Sequence, residues 1–161
     1  MTEEITELTK LATRLYDGPM WYGGNLKSTL ENISWQQSFI KPSGSAHNIF
    51  ELVTHMNSWR RFTVEHLKGN SSFSLEINSE NDWIKDYEQN EQTWNNALND
   101  LVQLHSELIA LISTVAPERL TEKVPGKKFT WYVFLHGVIH HDIYHSGQIA
   151  LLKKMSASLH P

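Results

Sequence analysis

Between about Thr130 and Met155 the apolar side chains Phe134, Val138, Ile149 and Leu152 recur at intervals of three and four, the period of one face of an α-helix. His141 and His145 occupy the same stripe. A stripe that faces a core is apolar, and a buried polar group without a partner costs roughly 1 to 3 kcal/mol. Two imidazoles one turn apart on it therefore need a shared partner, and a metal ion supplies one by binding the unprotonated nitrogens. Nine histidines in 161 residues give by chance about 0.5 pairs at i and i+4, and the chain has two, His136 with His140 and His141 with His145. Counting does not rank them; placement on the apolar stripe selects His141 and His145.

The same period marks three further long helices. The first spans about Thr2 to Tyr16 through Ile5, Leu8, Ala12 and Leu15 and stops at Asp17-Gly18-Pro19. Ser45 is placed to cap the second, from about Ala46 to Leu67, whose stripe holds Ile49, Leu52, Val53, Met56 and Thr63 with Trp59 or Arg60. The third runs from about Glu91 to Val115 before Pro117, and Thr130 can cap the fourth. A short helix is expected around Leu26 to Ile33. Residues 69 to about 89 are poor in apolar side chains and form a long connection, which lets two consecutive helices run in the same direction. With no alternating strand pattern, the expectation is an all-α four-helix bundle, a single domain over residues 1–161.

A formal charge of −4, with basic residues flanking a turn and not striping a helix, argues against nucleic-acid binding. No apolar run approaches the roughly 18 residues of a membrane span, and the start, Met1-Thr2-Glu3-Glu4, is acidic where a secretion signal is basic. The expectation is a cytoplasmic protein with no membrane partner and a small-molecule substrate. Cysteine is absent, which removes disulfides, thiolate ligands and a cysteine nucleophile together. Thiol chemistry would then need a small-molecule thiol.

A bundle interior suits a metal, because facing helices aim side chains at one point. The zincin glutamate that follows the first histidine is replaced here by Asp142, so a zincin protease is not expected. A third ligand must come from another helix, from among His47, Glu51, His55, His66 and His105. His55 is preferred: it sits in mid-helix beside the apolar face, whereas His47 in the first turn and His66 in the last are explained by solvent or the helix dipole. His105 is the rival, on a stripe of its own, where a lone histidine is more often a satisfied core residue. Gln148, one turn beyond His145, is placed either to hydrogen-bond a ligand or substrate at the metal or to pair helices. Glu51 reads as an acceptor for His55 or, preferred, as a solvated charge. Asp142 reads as a surface charge and Tyr144 as interface packing. Gly147 costs about 1 kcal/mol against alanine inside a helix, which predicts a close approach by another helix or a ligand. Most of the six tryptophans are expected in the core, with Trp35, Phe39 and Trp59 candidates for a pocket mouth.

Two segments carry a family resemblance. His140 to Lys154 (HHDIYHSGQIALLKK) is similar to the C-terminal signature of the DinB/YfiT-like superfamily, whose members are regarded as metalloenzymes although many have no known reaction. Ser45 to Trp59 (SAHNIFELVTHMNSW) resembles that family's second-helix segment, in which a histidine followed four residues later by an aromatic is the first metal ligand. The resemblance implies a DinB-like four-helix bundle in which His55, His141 and His145 surround one divalent ion: zinc, nickel or iron. It also implies thiol-dependent chemistry, since members with assigned activities include bacillithiol transferases and mycothiol-dependent isomerases, and it allows a homodimer. Three neutral histidines leave such an ion with an open position and uncompensated charge, the pattern of catalytic sites. The alternative is a non-catalytic metal-binding or stress-linked bundle with a structural or interaction role.

Overall fold

The computed structural model describes residues 3–157. In chain order the helices are α1 (Glu3–Asp17), α2 (Leu26–Leu30), α3 (Trp35–Phe39), α4 (Ile49–Leu67), α5 (Glu91–Ser113) and α6 (Trp131–Ala157), with a 3-10 turn at Pro117–Thr121. The four long ones, α1, α4, α5 and α6, form an all-α bundle. Among the described residues the only β pairing is one isolated bridge, Lys123 with Thr130. No helix among them is long and apolar enough to cross a membrane.

Side-chain caps decide where these helices begin. Asn48, and not Ser45, starts α4: its side chain accepts from the Glu51 amide while the Glu51 carboxylate accepts from the Asn48 amide, a closed capping box. The Ser45 hydroxyl instead donates to the His47 carbonyl, so the helix opens three residues later than the apolar pattern suggests. The helix expected from Leu26 to Ile33 stops at Leu30, and a second short helix that was not expected follows at Trp35–Phe39. Asn32 takes a positive φ of 60°, which ends the first piece, and Ser34 caps the second. Thr130 does cap α6, accepting from the Val133 amide.

Contacts between α4 and α5 climb both helices together: Asn57 to the Ala97 carbonyl, Arg60 to the Leu101 carbonyl, Lys68 to Glu107. The two helices are therefore parallel, and the long connection between them is the crossover that this requires. α6 runs against α4, since Phe62 meets Phe134 at one end and His55 meets His145 further along.

The core is split. One apolar cluster gathers Leu8, Phe62, Ile112, Trp131 and Leu135, and the other gathers Leu26, Leu52, Met56, Trp94 and Ile149. Between them, at matching heights on α4, α5 and α6, lies a layer of buried polar side chains: His55, Asn57, Arg60, His105, Asp142 and His145. Asp142 is not the surface charge expected. It is 2 % exposed and accepts from Arg60 Nε at 2.8 Å, and the same guanidinium donates to the Leu101 carbonyl at 3.2 Å. A stripe wider than the single row of apolar residues explains the error, because α6 buries Asp142 and Ser146 beside its histidines.

No other helix makes the close approach expected at Gly147, since a Cβ there would meet nothing within 4 Å; the residue lines a cavity with Leu15, Tyr22 and Thr29. Trp94 and Trp131 are core residues as expected, whereas Trp21 is 95 % exposed. Trp35 and Phe39 pack on the second apolar cluster, which leaves Trp59 as the one aromatic of the three beside the histidines.

Candidate metal centre

α4 carries His55 into the polar layer, and α6 brings His141 and His145 to it one turn apart. His141 Nε2 lies 3.0 Å from His55 Nε2 and 3.1 Å from His145 Nε2. One ligand atom from each ring falls within 4.8 Å of the other two. Nitrogens so spaced are spanned by a single ion with bonds of roughly 2.1 Å. His55 and His145 are buried, while His141 keeps 24 % of its side chain exposed and is the ring through which the cluster reaches solvent.

The far nitrogens of two rings are tied to acceptors. His55 Nδ1 sits 3.0 Å from the Asp82 backbone carbonyl and 2.8 Å from Asp82 Oδ1. His145 Nδ1 sits 2.7 Å from Gln148 Oε1. A carbonyl and a carboxylate only accept, so His55 Nδ1 carries the proton and its Nε2 presents a lone pair; with the amide oxygen assigned to face it, His145 does the same. His141 has one proton to place and can donate to at most one of its neighbours. At least one of the two contacts of about 3 Å therefore has no proton directed along it, an arrangement that a shared cation relieves. Burial holds the His55 ring below its ordinary pKa, and burial, followed by the charge His141 would carry, pushes His145 down to about 4. Both rings are thus neutral near pH 7, the form that ligates. The residues present fit a divalent ion.

Asp82 and Trp83 were not singled out by the sequence. Asp82 is 2 % exposed, and besides His55 its carboxylate accepts from Trp59 Nε1 at 2.9 Å and from the Asn78 amide at 2.8 Å. It pins the long connection onto α4. The Trp83 indole stacks on His55 at 3.8 Å and 8°, and on His47 at 3.7 Å and 11°. An adjacent carboxylate and tryptophan inside an otherwise apolar-poor connection was the available signal. Nothing in the helical period of α4 says that this connection folds back over His55.

The other candidates lie apart from the cluster or behind it. Gln148 stands behind His145 as the acceptor of its Nδ1 proton. Glu51 is neither a partner of His55 nor a solvated charge: it closes the capping box, accepts from Tyr87 Oη at 2.7 Å and pairs with His47 Nδ1 at 3.0 Å. His105 is a core ring stacked on Tyr16 at 4.2 Å, with its pKa pushed down to about 4 by burial and then by Arg60. His66, for which solvent or the helix dipole was the expected reason, is 2 % exposed in the last turn of α4 and bonds the Phe62 carbonyl through Nδ1. Tyr144 is exposed, and His136 of the second pair bonds Glu4.

His141 Nδ1 and Asp142 Oδ1 are both buried without a hydrogen-bond partner and stand 3.8 Å apart, beyond bonding distance. His141 is thus the one ring of the three that no acceptor holds from behind.

No curated protein and no solved structure gives a significant match to the chain. The model of one family, the DinB superfamily, matches residues 23–149, a span that starts before α2 and takes in all three histidines. By that match over most of its length, the chain belongs to the DinB superfamily.

Proposed function

We propose that this protein is a metal-dependent enzyme that activates a low-molecular-weight thiol, or water, for transfer to a small electrophile, as an S-transferase or hydrolase. The observation that carries the reading is the inward aim of the three Nε2 atoms, two of them on rings that burial keeps neutral and that Asp82 and Gln148 orient. A zinc, nickel or iron ion held by these residues would supply a Lewis acid able to acidify a thiol or water.

The chain's own residues do the rest. His55, His141 and His145 bind the ion, and Asp82 and Gln148 fix the ring angles and proton positions of the two buried ligands, a role that typically changes metal affinity 10- to 100-fold. Trp83 covers one face of His55 and keeps water from it. Because the chain has no cysteine, the sulfur nucleophile comes from outside. The thiol gives its proton to solvent, sulfur bonds to the electrophilic carbon, and the leaving group departs with the electron pair of the bond that breaks. The cytoplasm, where small thiols are kept reduced, is the compartment this reading requires.

The test is a thiol-conjugation screen on untagged protein of measured metal content, repeated after chelation, after metal is returned, and with His141→Ala. Turnover that is lost on chelation, restored by metal and absent from the variant is expected. Undiminished turnover in the stripped protein would defeat the proposal.

A further inference from the structure

His141 forms part of the wall of a cavity of about 300 Å³. The remaining wall is almost wholly apolar: Trp59 from α4, Phe129 from the turn before α6, and Val133, Phe134 and Val138 from α6 itself. Gly137, one turn before His141, and Thr63 of α4, whose hydroxyl donates to the Trp59 carbonyl, complete it. The cavity is at the small end of ligand pockets, which run from about 300 to 1,000 Å³ and are typically apolar with a few placed polar groups. Here the placed group is the one histidine of the cluster that is not buried.

Gly137 has no packing reason to be glycine. It lies inside α6, where glycine costs about 1 kcal/mol relative to alanine, its φ is not positive, and a Cβ on it would meet nothing within 4 Å. No neighbouring backbone needs the space. Gly137 is exposed and lines the cavity, so a side chain there would take up space at its wall. Trp59 is held in place across from it by the same Asp82 carboxylate that holds His55, so the wall and the cluster share one anchor.

We propose that this cavity seats the apolar part of the substrate, an aromatic or branched aliphatic group of about phenyl size, and that Gly137 sets the size admitted. The inference rests on the metal-centre reading above, because the reacting end of the same molecule then lies at His141. A phenyl group buried in the cavity should tighten binding at least about tenfold over the same molecule without the ring.

The experiment titrates the ¹⁵N-labelled full-length protein with 2-phenylethanethiol and with 2-mercaptoethanol, in zinc-loaded and in chelated samples. In wild type the phenyl compound should shift the Gly137 and Val133 amides and the Trp59 indole resonance, and in the loaded sample it should bind at least about tenfold tighter than 2-mercaptoethanol. Gly137→Leu should lose both the shifts and the gain while still taking up zinc as wild type does, and the milder Gly137→Ala should fold and fall between. Equal affinities for the two thiols, or shifts confined to other residues, would overturn the cavity assignment even if zinc binds. If zinc does not bind, the metal reading fails, yet phenyl-dependent shifts at Gly137 in the chelated sample would still uphold the cavity, and their absence would overturn it.

Discussion

Replacing Asp82 by alanine removes an acceptor that three donors share: His55 Nδ1, Trp59 Nε1 and the Asn78 amide. The Asp82 backbone carbonyl remains 3.0 Å from His55 Nδ1, so that ring keeps one partner and the ligand is loosened but not freed. The Trp59 and Asn78 donors are left with none from this side chain. A buried donor without an acceptor costs about 1 to 3 kcal/mol. The Asn78 amide can turn to solvent and Trp59 is only partly buried, so a loss of about 2 kcal/mol for the metal-free protein is expected. At this chain length, that lowers Tm by roughly 4 to 8 °C. Metal affinity should fall about 10- to 100-fold, the usual effect of removing the residue that orients a histidine ligand. Asp82→Asn should do less damage to stability than alanine, because one amide oxygen can still accept. Thermal unfolding in chelator reads the first quantity, and competition with a chromophoric chelator reads the second. An Asp82→Ala protein with wild-type metal affinity would refute the role given to this carboxylate, whatever happened to its Tm.

Three further outcomes follow from the polar layer and from α6. Arg60→Met should cost about 3 to 5 kcal/mol by leaving Asp142 charged and buried, whereas Arg60→Met combined with Asp142→Leu should recover most of that loss in urea unfolding. His105 holds a folded pKa of about 4 against an unfolded value near 6.5, so the unfolded chain takes up a proton first as pH falls and stability drops between pH 6.5 and 4. His105→Phe, which preserves the stack on Tyr16, should remove part of the loss of metal-free stability over that window, His145 with its folded pKa of about 4 supplying a further part, as read by unfolding free energy against pH. Gly147→Ala should raise stability by about 0.5 to 1 kcal/mol, because the added methyl meets no atom within 4 Å and the helix gains from losing glycine; calorimetry of the metal-free protein checks it.

The bundle was legible in the sequence because its long helices write their period in apolar side chains: the stripes through Ile5 to Leu15, Ile49 to Met56 and Phe134 to Leu152 are all buried in the fold. His141 and His145 stood out against such a stripe, and His55 followed with the help of the family resemblance. Asp142 did not stand out. A carboxylate one residue off the stripe looks like surface until its partner is known, and Arg60 is 82 residues away in the chain. Asp82 and Trp83 were hidden for a related reason. They lie in a connection without helical period, and their function depends on that connection folding back onto α4, which local sequence does not encode. The start of α4 shifted because two residues competed to cap it: Ser45 lost to Asn48, whose position lets Glu51 close the box.

Metal stoichiometry tests the central claim most directly. Native mass spectrometry and elemental analysis of untagged protein, loaded with one divalent ion at a time and then exhaustively desalted, should find one ion per chain in wild type. His55→Ala, His141→Ala and His145→Ala, each confirmed as folded by circular dichroism, should retain essentially none. Wild type that holds no stoichiometric ion, or folded variants that hold as much as wild type, would contradict the account of these three histidines as a single binding site.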